Sequence, residues 1–224
     1  MSPISVLITA FEAFGGMSVN PTQQLLATLD RAGVEGAESS TLLLPVTYDE
    51  CVKRVVAEID RVQPDVVLSC GLYAGRAAVT PERVAINVKD TMAEDPIPDN
   101  SGRSPVDEPV RSDGPDALFA TLPVREITQR LLAAGIPAFV SNTAGTYICN
   151  NTLYGVLDHI RRRQLPTLAG FVHFPASTEM AVQRPTLPSL PLEMSERALR
   201  VAVETCVEAA RRRREPALGA ASSW

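Results

Sequence analysis

Along most of its 224 residues the chain changes rhythm repeatedly, from short apolar runs to apolar residues at helical spacing, and this alternation limits the fold more than any other feature. The runs ISVLITA (4–10), DVVLSCG (65–71) and LAGFVHF (168–174) are nearly continuous, as expected for strands covered by helices on both faces. STLLLPV, PERVAINV and IPAFVS read as further strands. Asn20-Pro21 is a good cap followed by proline at the first helical position, and Leu25, Leu26 and Leu29 supply the stripe behind it. Val52, Val55, Val56, Ile59 and Val62 recur with helical period before Pro64 ends the run. Further helices are expected near 123–134, from about Tyr147 to Arg163, and from Ser195 to about Arg214. Strand following helix in this way predicts an α/β fold, a three-layer α/β/α sandwich with a mostly parallel, mixed central sheet. One domain is expected over 1–215, with a flexible tail over 216–224. Residues 89–116, rich in Pro, Asp and Gly, carry little periodic signal, and a loop of that length is usually functional or mobile.

Acidic residues number 26 against 21 basic, a net charge of -5, which offers no general attraction to nucleic acid or to an anionic membrane. Small molecules, peptides or further copies of the chain are the expected partners. The amino terminus shows no basic leader, and no apolar run reaches the ~18 residues of a membrane span, so a cytoplasmic location is expected. Cys51, Cys70, Cys149 and Cys206 lie far apart without a CxxC pair, which points to a reducing compartment. His159 and His173 are the sole histidines, and neither has a metal ligand at a suitable spacing, so no metal is expected. Arg211 to Arg214, at a helix end beside Glu208 and Glu215, read as a solvated face.

In open α/β sheets ligands bind beyond the carboxyl ends of the strands, and two reactive residues fall there. Cys149 opens a helix, where unpaired backbone N–H groups favour thiolate and can hold an oxyanion. It also shares the apolar stripe of Leu153, Val156, Leu157 and Ile160, so a buried filler is the competing reading. His173 closes a strand, either as a base or as a core histidine bonded to a carbonyl. His159 lies ten residues beyond Cys149 on the same helix, roughly 15 Å along the axis, and cannot serve that cysteine. Strand alternation groups Glu82 with Val84, Ile86 and Val88, and a buried carboxylate needs a partner. That partner is an imidazole, which would complete a nucleophile, base and acid, or an arginine such as Arg83, unless Glu82 lies at an exposed strand start. The loop TAFEAFGG lacks GxGxxG and GxxxxGK[ST], and its Phe11 and Phe14 suit a small ring better than a phosphate.

Together TAFEAFGG with NPT, TPERVAIN, IPDN, SNTAGTYICN and GFVHFP resemble, in order and over most of the chain, the pyroglutamyl peptidase I family of cysteine peptidases. The resemblance implies catalytic roles for Cys149, His173 and Glu82. It implies a substrate pocket of Phe11, Phe14, Val46, Leu72, Tyr147 and Ile148, no cofactor, and peptides with amino-terminal pyroglutamate as substrates. It further implies a homo-oligomer, tetramer or dimer. Cys149 would attack the pyroglutamyl carbonyl, His173 would protonate the leaving amine, and water would hydrolyse the thioester. Two departures stand out: Leu72 replaces a glutamine common in the family, and no arginine precedes IPDN in KDTMAEDPIPDN. Loss of one oxyanion donor costs on the order of 10²- to 10³-fold in rate.

Overall fold

The computed structural model describes residues 2–91, 97–182 and 184–215. In chain order the first elements are β1 (Ile4–Phe11), α1 (Pro21–Ala32), β2 (Ala37–Leu44), α2 (Glu50–Val62), β3 (Val66–Leu72), β4 (Thr80–Glu82), β5 (Val84–Ile86) and β6 (Ala117–Phe119). Then come α3 (Val124–Ala133), α4 (Ile148–Arg163), β7 (Leu168–Phe174), β8 (Ala176–Ser177), α5 (Thr178–Val182), β9 (Ser189–Leu190) and α6 (Leu192–Arg214). The central sheet runs β2-β1-β3-β7-β4. Its four longer strands are parallel, and β4 pairs antiparallel with β7.

Successive side chains of each long strand face opposite layers. Ile8, Leu68 and Val172 meet α1, α3 and α6 through residues such as Leu25, Ile127 and Leu199. Leu7, Val67 and Ala169 meet α2 and α4 through Val55, Ile59, Leu153 and Val156. This double cover is why β3 and β7 are buried along their whole lengths, and why each reads as an apolar run rather than an alternation. Each large side chain so buried contributes about 1.5–3 kcal/mol. Because β1, β3 and β7 are parallel, their carboxyl ends share one edge of the sheet, bringing Phe11, Leu72 and His173 to the same rim.

The expected helices all form; α6 starts at Leu192, three residues before Ser195. Asn20 caps α1 as its sequence suggests, its Oδ1 accepting the Thr22 amide at 3.1 Å. PERVAINV is not one strand. The chain leaves the central sheet after Glu82, where the Arg83 amide donates to the Ser141 carbonyl at 2.8 Å, and β5 pairs instead with β6. The shared face expected for Glu82, Val84, Ile86 and Val88 is therefore lost, and Ala85 is the fully buried residue of β5. IPAFVS runs beside β4 but makes only isolated bridges at Ala138 and Ser141; Pro137 has no amide to continue a ladder.

Within 89–116, residues 92–96 lie outside the described residues, and with them the position before IPDN at which the resemblance implies an arginine. The described remainder forms neither helix nor strand, yet it is pinned: Lys89 and Glu108 exchange amide hydrogen bonds at 2.7 and 3.1 Å, and the Asn100 amide reaches the Val46 carbonyl at 2.8 Å. The expected tail, 216–224, also lies outside the described residues. At the end of α6, Arg212 pairs with Glu126 and Arg214 with Asp65, so the basic run ties the helix end to the body of the protein.

Candidate active site

Cys149 is the second residue of α4, after a turn in which Gly145 adopts φ 76°, open to glycine at little cost. The next residue fixes that turn. Asn150 is fully buried and accepts the Ile86 amide at 2.9 Å while donating to the carbonyls of Ile86 and Val88 at 2.8 and 2.9 Å. The cysteine segment and the VAIN segment, more than sixty residues apart in sequence, are thereby joined through one amide side chain. First-turn N–H groups have no acceptor within the helix, so those around Cys149 remain suited to an oxyanion.

Beneath the sulfur lies the rim of the sheet. Gly71 pairs in parallel register with His173, and a Cβ built on Gly71 would stand 3.0 Å from Cys149 Sγ. Neighbouring residues in parallel register share a face, so the imidazole of His173 and the sulfur lie on the same side of the sheet. Among the described residues no hydrogen bond joins Sγ to the ring. A small, partly open cavity of about 20 Å³ adjoins Cys149 and is lined by Phe11, Phe14, Asn20, Val46, Leu72, Tyr147 and Ile148. All six residues expected to form the pocket are thus gathered around the cysteine. Asn20, which sequence identified only as a cap, is the addition, and its Nδ2 donates to the Glu12 carbonyl at 3.1 Å. The wall is aromatic: Phe14 and Tyr147 lie 6.1 Å apart by ring centroid, and Tyr48 meets Tyr147 edge-on at 5.6 Å.

His173 is buried, with Nδ1 at 2.8 Å from Glu82 Oε1. An ionised carboxylate only accepts, so Nδ1 carries the proton and Nε2 keeps its lone pair. Burial lowers the readiness of the ring to protonate, the bond to Glu82 opposes this, and the charge of Arg76 adds to it; the net direction is downward. Phe171 and Tyr73 flank the ring at 4.8 and 5.3 Å.

The partner of Glu82 includes an arginine, but not Arg83. Arg76 Nη1 lies 2.9 Å from the same Oε1 that His173 uses. A fully buried carboxylate demands a cation within reach, and this rule alone favours an arginine on the preceding loop as much as an adjacent one. Three-residue alternation cannot tell them apart. His159 stands apart from the site and pairs with Asp60 at 2.8 Å.

One sequence expectation meets an opposing effect. Cys149 keeps part of its surface open, yet its surroundings push the thiol well above its ordinary range, first by burial and then by the charge of Glu82. A helix terminus offers ~0.3–1 kcal/mol, whereas desolvation of an ionised group can amount to several pKa units, so the dipole loses. The other three cysteines are fully buried and free. Among the described residues no group of three or more His, Cys, Asp or Glu is placed to hold a metal ion, and no helix is long and apolar enough to cross a membrane.

The chain matches the family described as pyroglutamyl peptidase over residues 4–209. It is 40% identical over 206 residues to pyrrolidone-carboxylate peptidase 1 of Caldanaerobacter subterraneus subsp. tengcongensis, covering 92% of this chain and 99% of that protein. With the pyrrolidone-carboxylate peptidase of Vibrio campbellii the identity is 49% over 174 residues, 78% of this chain and 79% of that one. Among solved structures, pyroglutamyl peptidase I from Bacillus amyloliquefaciens superposes with a TM-score of 0.87 at 36% identity, covering 92% of this chain and 95% of the other. Pyrrolidone carboxyl peptidase from Thermococcus litoralis gives 0.88 at 35% identity, covering 95% and 97%.

Proposed function

The chain belongs to the pyroglutamyl peptidase family, and from that premise we propose that Cys149, His173 and Glu82 carry its chemistry, with the adjoining cavity as the seat of the pyroglutamyl ring. It is a cysteine peptidase that removes an amino-terminal pyroglutamyl residue from peptides. The observation carrying the residue assignment is the meeting of three features at one rim: a partly open cysteine, the His173–Glu82 pair one strand away, and an uncharged aromatic cavity against the sulfur.

The steps follow from the protonation states. Cys149 rests as a thiol and His173 as a neutral base, so as Sγ bonds to the pyroglutamyl carbonyl carbon its proton passes to Nε2. First-turn N–H groups of α4 receive the oxyanion. His173 then returns the proton to the leaving amine, the amide C–N bond breaks, and a thioester remains. Water adds to the thioester with its proton taken by the same ring, releasing pyroglutamate and the thiol. Glu82 accepts from Nδ1–H throughout, holding the tautomer and supporting the transient imidazolium. No cofactor enters this scheme.

None of the described side chains lining the cavity is charged, which suits a flat neutral lactam. A free amino-terminal glutamine would bring an ammonium with no counterion there among the described residues and is rejected on that ground. The test is release of fluorophore from a pyroglutamyl amide under reducing conditions. Loss of release in Cys149→Ala is expected; unchanged release in that variant would overturn the assignment.

Three further parts of the reading concern the whole molecule. Residues 1–215 are taken as one catalytic unit, supported by two core clusters sharing one sheet. A homo-oligomer is taken as the working state, supported by the exposure of Phe119, Leu132 and Val182, and light scattering during size exclusion decides it. A cytoplasmic location is supported by the four cysteines, all free, and is tested by cell fractionation.

A further inference from the structure

The loop between β3 and β4 brings Arg76 against the buried Glu82–His173 pair in a geometry held from several sides. Nη1 donates to Thr80 Oγ1 at 2.8 Å and to Glu82 Oε1 at 2.9 Å, and Nη2 reaches the Thr143 carbonyl at 3.3 Å. Cζ sits 3.8 Å from the centroid of the Tyr73 ring, which itself meets His173 edge-on. The arginine side chain is 14% exposed, while Glu82 is fully buried and its Oε2 has no hydrogen-bond partner among the described residues. Thr143 belongs to the segment that leads into Cys149, so one guanidinium touches β4, the aromatic flank of the histidine and the approach to the nucleophile.

We propose that Arg76 is a positioning residue of the hydrolysis, whose charge balances that of Glu82 and so keeps His173 the neutral base that the Cys149 thiol requires. The charge balance is simple. With carboxylate and guanidinium both present, the buried group around a neutral imidazole carries no net charge, and a proton on His173 creates a desolvated cation. Without Arg76 the same group is an anion, and proton uptake neutralises it. Among the described residues the charged and titratable groups around His173 are Glu82 from β4, Tyr73 and Arg76 from the loop after β3, and Cys149 on the same side of the sheet from α4, and none of these others takes over the guanidinium's part. Burial and the Arg76 charge acting in the same direction on the ring agree with this geometry.

The inference rests on the assignment of Cys149, His173 and Glu82 made above. Its first test is the pH dependence of kcat/KM. Arg76→Gln moves the acid limb up by about 1–2 pH units, with a smaller loss on the alkaline plateau, and Arg76→Lys restores the position of the limb because the charge returns. A purely structural arginine would lower the rate at every pH and leave the limb in place. The second test needs no variant: with two histidines in the chain, ¹⁵N-histidine NMR follows His173 in the native protein. It remains the neutral Nδ1–H tautomer at pH 7 and stays so below the midpoint of an ordinary histidine. An imidazolium at pH 7 in the native protein, or coincident limbs and midpoints in native protein and Arg76→Gln, overturns the proposal. If Arg76→Gln does not fold, Arg76→Lys and the native titration decide. Absence of turnover in the native enzyme would instead strike the assignment of function, and the NMR midpoints would still judge Arg76.

Discussion

Gly71 and Cys149 face each other so closely that a methyl group at residue 71 would stand 3.0 Å from the cysteine sulfur and 2.6 Å from Phe171 Cζ. A glycine within an otherwise apolar strand therefore keeps the rim open for the nucleophile. In Gly71→Ala, Phe171 or Cys149 must move, at an overpacking cost of about 1–3 kcal/mol. Displacement of a reacting atom by about 1 Å lowers rate on the order of 10²-fold, so kcat/KM on a pyroglutamyl amide falls to about one hundredth while the fold persists by circular dichroism. A value within twofold of the native enzyme would show that the sulfur does not act from this position.

Alkylation distinguishes the four cysteines. Cys51, Cys70 and Cys206 are fully enclosed, and burial pushes the Cys51 thiol up to about 11. Iodoacetamide under native conditions labels Cys149 alone, as read by peptide mass mapping. Because Cys149 rests as a thiol, its labelling rate rises about tenfold per pH unit from ~7 to ~9. A rate independent of pH across that range would mean a standing thiolate and imidazolium in place of a thiol beside a neutral ring.

The long strands and helices were legible because burial on two faces and helical spacing leave local patterns, and Cys149 was legible because a helix start is one. The break between Glu82 and Val84 was not. It depends on Ser141 capturing the Arg83 amide across the chain, and no local rhythm encodes a partner 58 residues away. Arg76 was missed for the same reason: the need for a cation beside a buried carboxylate was evident, but loop geometry chose which arginine. For the Cys149 thiol the helix terminus and desolvation act in opposite directions, and only the first is visible in sequence. Phe11, Phe14, Val46, Leu72, Tyr147 and Ile148 converge from four separate segments, and the family resemblance rather than their spacing anticipated that gathering.

His173 links the site to stability. Its folded-state protonation is depressed, whereas the unfolded imidazole takes a proton near pH ~6.5. Below that pH the unfolded chain binds a proton that the native one does not, so this contribution is complete above pH ~6.5 and declines as pH falls. The slope approaches about 1.4 kcal/mol per pH unit until the folded-state midpoint is reached. Urea denaturation between about pH 8 and 5.5 then shows native protein losing stability faster than His173→Gln. A difference between the two proteins that is constant over this range would exclude the linkage.

Asp99 of the IPDN segment shapes the cavity without touching the nucleophile. Its Oδ1 accepts the amides of Ser101 and Arg103 at 2.8 and 2.9 Å, and its Oδ2 accepts the Tyr48 amide at 2.9 Å. Tyr48 meets the Tyr147 ring edge-on, and the Tyr147 hydroxyl donates to the Pro98 carbonyl at 3.2 Å, so one carboxylate braces two sides of the aromatic wall. Asp99→Ala leaves the Tyr48 amide without its acceptor, at a cost of about 1–3 kcal/mol, and loosens the ring that bounds the cavity. The expected result is a KM for the pyroglutamyl amide raised about tenfold, since ring contacts made alike in ground and transition states are lost, with kcat little changed. Iodoacetamide, which needs no seated ring, alkylates Cys149 at the native rate. A fall in kcat with KM unchanged would instead place Asp99 in the chemistry and remove it from the pocket wall.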